Sequence, residues 1–389
     1  MSRNADAIVV GLGAMGAAAA RALSRRGLRV LGLDRFAPPH AMGSSHGDTR
    51  IIREAYFEHP SYVPFVQRAY LLWEEIERET GRGLLSRTGG LMIGPREGAL
   101  VRGALQSAEA HALPHELLDA DGIARRVPAF RPRPDWVGVW EPNDGVLRPE
   151  AGIAAMLATA ARHGARLHTN EPATGWRADG DGVAVTTARG TYRAAACVLA
   201  AGAWMPRLLP DLPLTVARQL LFWFETVGAR NAHDAGLCPI SIWEYGEERF
   251  FYSFPRGEQG VKVAIHHHGA PADPDRLDRE VTPEEVAEVR ALVQEYMPFA
   301  SGPLRASVAC MYTNTPDGHF VLDRHPDHDR VLIVSACSGH GFKFAPAVGE
   351  AVADLLVEGR TRHDLSRFGA RRWSGGPGAG VEKIAGRGA

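Results

Sequence analysis

Near the start of the chain a short apolar run, Ala5 to Val10 with Asp6 inside it, passes directly into Gly11-Leu12-Gly13-Ala14-Met15-Gly16. An alanine-rich stretch, Ala17 to Arg26, follows, and then a second apolar run, Leu28 to Leu33, ending at Asp34. A short apolar run bounded by glycines reads as a buried strand and the alanines read as a helix, so the order is strand, tight turn, helix, strand. Farther on, a helix is predicted from about Pro149 to His163, with strands at Ala165–Thr169, Val183–Thr187 and Ala196–Ala200. Aromatic alternation takes over at Leu220–Thr226 and Arg249–Phe254, which predicts an antiparallel sheet rather than another βαβ unit. Thr282 and Glu285 form a capping box for a helix over Pro283–Tyr296. A buried strand, Val331–Ala336, a glycine turn, Ser338–Gly341, and a helix from about Pro346 to Val357 close the pattern.

These elements predict an α/β protein: a discontinuous Rossmann-type domain, closed by its own C-terminal strand and helix, with a second α+β domain on a mainly antiparallel sheet. The boundaries expected are residues 1–85 with 145–215 and 320–373 for the first domain, and 86–144 with 216–319 for the second. Residues 374–389, rich in glycine and without periodicity, are expected to be a flexible tail. The length of 389 residues also exceeds what one core usually supports.

The first turn has a chemical reason for its spacing. Gly11 permits the sharp turn, Gly13 lets backbone approach a pyrophosphate, and Gly16 lets the helix lie close to the strand. Phosphates would sit at the helix N-terminus, where unpaired N–H groups favour anions. Asp34 falls where a carboxylate accepts hydrogen bonds from ribose hydroxyls, which disfavours a 2′-phosphorylated cofactor. The motif alone does not separate NAD from FAD.

Composition narrows the partners. Forty-four basic and 45 acidic residues leave a formal net charge of −1, with no field for nucleic acid or anionic lipid. No apolar span approaches the roughly 20 residues of a membrane helix, and no signal-peptide cleavage site is visible. Small-molecule chemistry is favoured by elimination. Cys197, Cys238, Cys310 and Cys337 are scattered, without a C-x-x-C pair, and read as thiols of a reducing, cytoplasmic compartment. His266-His267-His268 would place 266 and 268 on one face of a strand, but no third ligand has convincing spacing, so no metal is expected.

Four further segments carry a resemblance: Gly43-Ser44-Ser45-His46-Gly47-Asp48-Thr49-Arg50-Ile51-Ile52-Arg53, Glu141-Pro142-Asn143-Asp144-Gly145-Val146-Leu147, Cys310-Met311-Tyr312-Thr313-Asn314-Thr315-Pro316-Asp317 and Ser338-Gly339-His340-Gly341-Phe342-Lys343-Phe344. In this order they resemble the monomeric sarcosine oxidase and N-methyltryptophan oxidase family of D-amino acid oxidase-like flavoproteins. The resemblance implies an FAD-dependent oxidase of a small secondary amine bearing a carboxylate, with molecular oxygen as acceptor. Sarcosine or another N-methyl amino acid would give the demethylated amino acid, formaldehyde and hydrogen peroxide. A cyclic imino acid, a sugar-derived amine or a biosynthetic intermediate is the alternative substrate, and an NAD-dependent dehydrogenase the alternative enzyme. A monomer is expected, with an oligomer left open.

The resemblance also assigns residues. It implies FAD joined covalently through Cys310, with Gly11, Gly13, Gly16, Asp34, Ser44, Gly339, Gly341 and Lys343 around the cofactor. Without it, Cys310 reads as a core thiol. Arg53 and Lys343 match the carboxylate-binding pair, where a planar guanidinium suits two hydrogen bonds; the alternative for Arg53 is a salt bridge to Glu54 or Glu58. His46 and Arg50 would face the flavin. Lys262, between two valines, would activate oxygen, its alternative being an edge strand with the lysine in water. His266, Tyr252 and Tyr312 would shape the amine site. The segment Ser241–Phe251 departs from the family pattern beside the substrate cavity, which leaves the accommodated side chain open.

Overall fold

The computed structural model describes residues 5–373; the expected tail, 374–389, lies outside the described residues. Ala5–Val10 is buried along almost its whole length and pairs in parallel with Gly190–Leu199 on one side and Val30–Leu33 on the other. A strand covered on both faces needs apolar residues at consecutive positions, which is why this run does not alternate. The sheet runs Ala173–Asp179, Gly182–Thr187, Gly190–Leu199, Ala5–Val10, Val30–Leu33, Arg166–His168, and His328–Ser335 joins it beside Gly190–Leu199 with Val321–His325 outside that. Helix Ala14–Arg25 packs against Pro149–Arg162 and Ala345–Val357. Small residues permit a close approach: a Cβ on Gly349 would lie 2.5 Å from the carbonyl oxygen of Ala18.

The second eight-stranded sheet runs Leu304–Asn314, Thr215–Phe224, Val261–His266, Arg249–Ser253, Ile240–Gly246, Gly90–Pro95, Trp136–Glu141, Glu116–Asp119. It is antiparallel except where Ile240–Gly246 meets Gly90–Pro95. Alternation sorts its side chains: Phe222 and Phe224 join a core with Phe251 and Val293, whereas Leu221 and Trp223 pack with Ala264 and Cys310 on the other face. Helix Pro283–Tyr296 covers the first of these faces. Its capping box is formed, with Thr282 Oγ1 accepting from Glu285 N at 3.3 Å and Glu285 Oε2 accepting from Thr282 N at 2.9 Å. A three-stranded sheet, Arg50–Ile52, Gly145–Leu147 and Leu85–Arg87, lies apart from both.

Two expectations need correction. The strand predicted from Leu220 begins at Thr215. Lys262 is on an inner strand, paired on both sides, which removes the edge-strand alternative. The strand carrying His266 ends there, and His267 has φ +54°, so His266 and His268 do not share a strand face. Among the described residues, no helix is long and apolar enough to cross a membrane and no group of three or more His, Cys, Asp and Glu is placed to hold a metal.

Candidate active site

One cavity of about 270 Å³ runs from the first glycine turn to the second sheet. At its first end Gly11 has φ +89°, and a Cβ there would lie 2.4 Å from the carbonyl oxygen of Ala200. Gly16 stands behind the turn, where a Cβ would fall 1.7 Å from Gly11 O. Gly13 is different: it lines the cavity, caps the helix, and a Cβ on it would meet nothing within 4 Å. Asp34 lines the same end, with Oδ2 accepting from Leu12 N at 2.6 Å and Oδ1 from Phe36 N at 2.7 Å. An open N-terminal cradle beside a fixed carboxylate fits a diphosphate joined to a ribose.

Midway, Cys310 is buried on the wall of the cavity. Its Sγ lies 3.5 Å from Ser44 O and 4.0 Å from Nη2 of Arg50, whose guanidinium also donates to Ser44 O and Thr49 O at 2.8 Å each. Burial raises the thiol pKa, and the Arg50 charge opposes that rise. The hydroxyl of Ser44 and the amide nitrogen of Gln219, both on the cavity wall, have no hydrogen-bond partner. Two buried polar groups without a partner beside the wall are compatible with a polar ring system in the cavity, such as a flavin.

Lys262 lies just behind this wall. Its Nζ donates to Gly47 O at 2.6 Å, Thr49 O at 2.9 Å and Thr49 Oγ1 at 3.2 Å. Burial first, and the Arg50 charge second, hold its pKa well below the usual lysine range. His46 is buried nearby with no partner for Nε2; burial and the same arginine lower its pKa to about 4, so it is neutral at neutral pH. Neither His46 nor Lys262 is a lining residue of the cavity.

At the far end Tyr252, His266, Tyr312, Arg53 and Lys343 converge on the cavity with Gly339 and Gly341. His266 Nδ1 lies 3.2 Å from the hydroxyl of Tyr312, and burial, then His267, keeps the imidazole neutral. Gly339, at φ +80°, sits where a Cβ would be 2.6 Å from the Tyr312 ring and 2.8 Å from that of His266. Lys343 Nζ donates to His340 O at 2.7 Å, and burial, then Arg53, lowers its pKa to about 7. Arg53 is paired with Glu58, the alternative that its sequence context allowed.

Sequence reasoning missed several neighbours of these groups. Glu150 Oε1 accepts from Gly47 N at 2.7 Å and thereby fixes the loop that holds Lys262; on the sequence it is an acid in the first turn of a helix, which is common for dipole reasons alone. Gln219 precedes the expected start of its strand. Tyr56 and His340 meet across 284 residues, with Tyr56 Oη 2.6 Å from His340 Nδ1.

Residues 6–355 match the DAO family model, described as FAD dependent oxidoreductase. The chain is 46% identical over 383 residues to a monomeric sarcosine oxidase of Streptomyces avermitilis, covering 97% of this chain and 100% of that protein. It is 35% identical over 371 residues to an N-methyl-L-tryptophan oxidase of Salmonella arizonae, covering 95% and 99%. Among solved structures, NikD, an unusual amino acid oxidase essential for nikkomycin biosynthesis, superposes with a TM-score of 0.81 at 26% identity, over 95% of this chain and 98% of that one.

Proposed function

Because the chain belongs to the DAO family of FAD-dependent oxidoreductases, we propose that it oxidises sarcosine or another N-methyl amino acid to the demethylated amino acid, formaldehyde and hydrogen peroxide. The same membership removes the nicotinamide reading of the first glycine turn. The observation that carries the proposal is the single cavity joining the Gly13 and Asp34 end to a pocket walled by Arg53, Lys343, His266, Tyr252 and Tyr312.

When bound, FAD supplies a two-electron acceptor for the hydride equivalent leaving the carbon beside the amine, and a source of those electrons for molecular oxygen. Gly11, Gly13, Gly16 and Asp34 would hold the dinucleotide, Ser44, Gly339 and Gly341 would border the ring system, and Cys310 would be the residue that tethers it. Lys343 and Arg53 orient the substrate carboxylate. Their charges disfavour an ammonium close by, so the amine reacts in its uncharged form, and the neutral His266 adds no opposing anion. Tyr252 and Tyr312 wall the amine end of the pocket. Arg50 would stand along the flavin with His46 and Lys262 behind the cavity wall, and Lys262, when protonated, would supply the buried positive charge that favours electron transfer to oxygen.

The same reading assigns residues 1–85, 145–215 and 320–373 to FAD binding and 86–144 with 216–319 to the substrate. Four cysteines without a disulfide fit a reducing compartment, and we assign a cytoplasmic monomer.

An absorbance spectrum before and after acid precipitation, followed by a peroxide assay on N-methyl amino acids, tests the reading. Yellow colour in the pellet with peroxide from sarcosine or a relative is expected. Colour in the supernatant removes the Cys310 bond while leaving the oxidase. Peroxide from a cyclic imino acid or a sugar-derived amine, and none from N-methyl amino acids, replaces the substrate.

A further inference from the structure

Tyr56 is fully buried and is not itself part of the cavity wall, yet it touches Arg53 and Lys343, the two cations at the far end of the cavity. Its ring lies 4.1 Å from the Arg53 guanidinium carbon, and its hydroxyl oxygen accepts from Lys343 Nζ at 3.4 Å. The direction of its own O–H is fixed by His340. Gly318 O can only accept, so the His340 Nε2 at 3.1 Å from it carries the imidazole proton. Burial, then Lys343, keeps the ring neutral, which leaves Nδ1 at 2.6 Å as the nearer acceptor for the Tyr56 O–H, ahead of His340 O at 3.3 Å. The tyrosine oxygen therefore turns its lone pairs to Lys343. Lys343 spends one N–H on His340 O and one on Tyr56, and a third is left for a ligand.

We propose that Tyr56, oriented by His340, is a positioning residue that sets the separation and N–H direction of Arg53 and Lys343 toward a substrate carboxylate. The proposal rests on the reading of those two cations as the carboxylate site.

A pH profile separates this role from simple packing. Lys343 faces Arg53, Arg50, His340, His266, Glu58 and Asp144 as well as Tyr56. Tyr56→Phe leaves all of these and the ring under Arg53 in place, and removes one acceptor of the ammonium. Losing an acceptor disfavours the charged form, so Lys343 should give up its proton at lower pH.

The probe is acetate, which has the carboxylate but no amine, titrated into the holoenzyme and read from the flavin absorbance band. Wild-type binding should weaken as pH rises through about 7, where Lys343 loses its proton. In Tyr56→Phe that break should move down by about one pH unit, with binding about tenfold weaker above it and nearly unchanged well below it. With substrate, KM should rise at neutral pH while kcat at saturation is kept. His340→Leu should shift the break the same way, and His340→Gln, which offers both an acceptor and a donor, should restore it; this pair decides the matter if Tyr56→Phe does not fold. An unmoved break in Tyr56→Phe, or equal breaks in the two His340 variants, overturns the proposal. Wild-type acetate binding in Lys343→Met instead overturns the carboxylate-site reading beneath it.

Discussion

Both carboxylate oxygens of Glu58 accept from Nη2 of Arg53, at 2.6 and 2.5 Å, in a pair sealed from solvent. A substrate carboxylate that binds Arg53 must share or displace this partner. Glu58→Gln should therefore lower KM for carboxylate substrates, and it should also lower the melting temperature, since removing one partner of a buried ion pair costs about 3–5 kcal/mol. A raised KM would mean that Glu58 aims Arg53 rather than competing for it.

The glycine turn separates two kinds of defect. Gly16→Ala places a methyl 1.7 Å from Gly11 O, so it should destabilise the protein even without cofactor. Gly13→Ala meets no protein atom within 4 Å, so the apo protein should melt normally while flavin retention falls. Thermal melts of both variants with and without FAD check this; equal apo destabilisation would argue that Gly13 serves packing.

Lys262→Met should slow reoxidation by oxygen at least tenfold more than flavin reduction. The aliphatic stem is kept and only the cation is lost. Stopped-flow measurement of the two half-reactions decides it, and equal losses would assign Lys262 to holding the Gly47–Thr49 loop.

Lys343 ties stability to pH. Its folded pKa is depressed to about 7 from 10.5, mainly by burial. Between those values the unfolded chain binds a proton that the folded chain does not, so stability from this group rises with pH across that window and is lowest below it. Lys343→Met should flatten this part of the stability profile and raise stability most near pH 7 and below, as read from denaturant melts at several pH values.

Much of this was legible because it is local. The glycine turn, Asp34 and the Thr282 capping box are set by neighbours in sequence, and each needs only one residue spacing to be recognised. The strand from Thr215 was harder: Arg218 and Gln219 interrupt its apolar pattern, and Arg218 is drawn to Glu285 while Gln219 turns to the cavity. Helix Val63–Thr80 carries a signal in Val66, Ala69, Tyr70, Trp73 and Ile76, all buried at helical spacing, although aromatic residues there also suit a strand. Tyr56, Glu150 and His340 gained their partners only through tertiary pairing. Nothing near Tyr56 in sequence announces a histidine 284 positions away.

The contact between Ala18 and Gly349 bears on how the chain is made. Helix Ala14–Arg25 leaves the ribosome early, but the helix that covers it begins only at Ala345. Until residues 328–357 have been made, one face of the alanine-rich helix waits without its cover and the parallel sheet lacks His328–Ser335. The cavity that would receive the cofactor is thus walled only after residues from both ends of this discontinuous domain have come together.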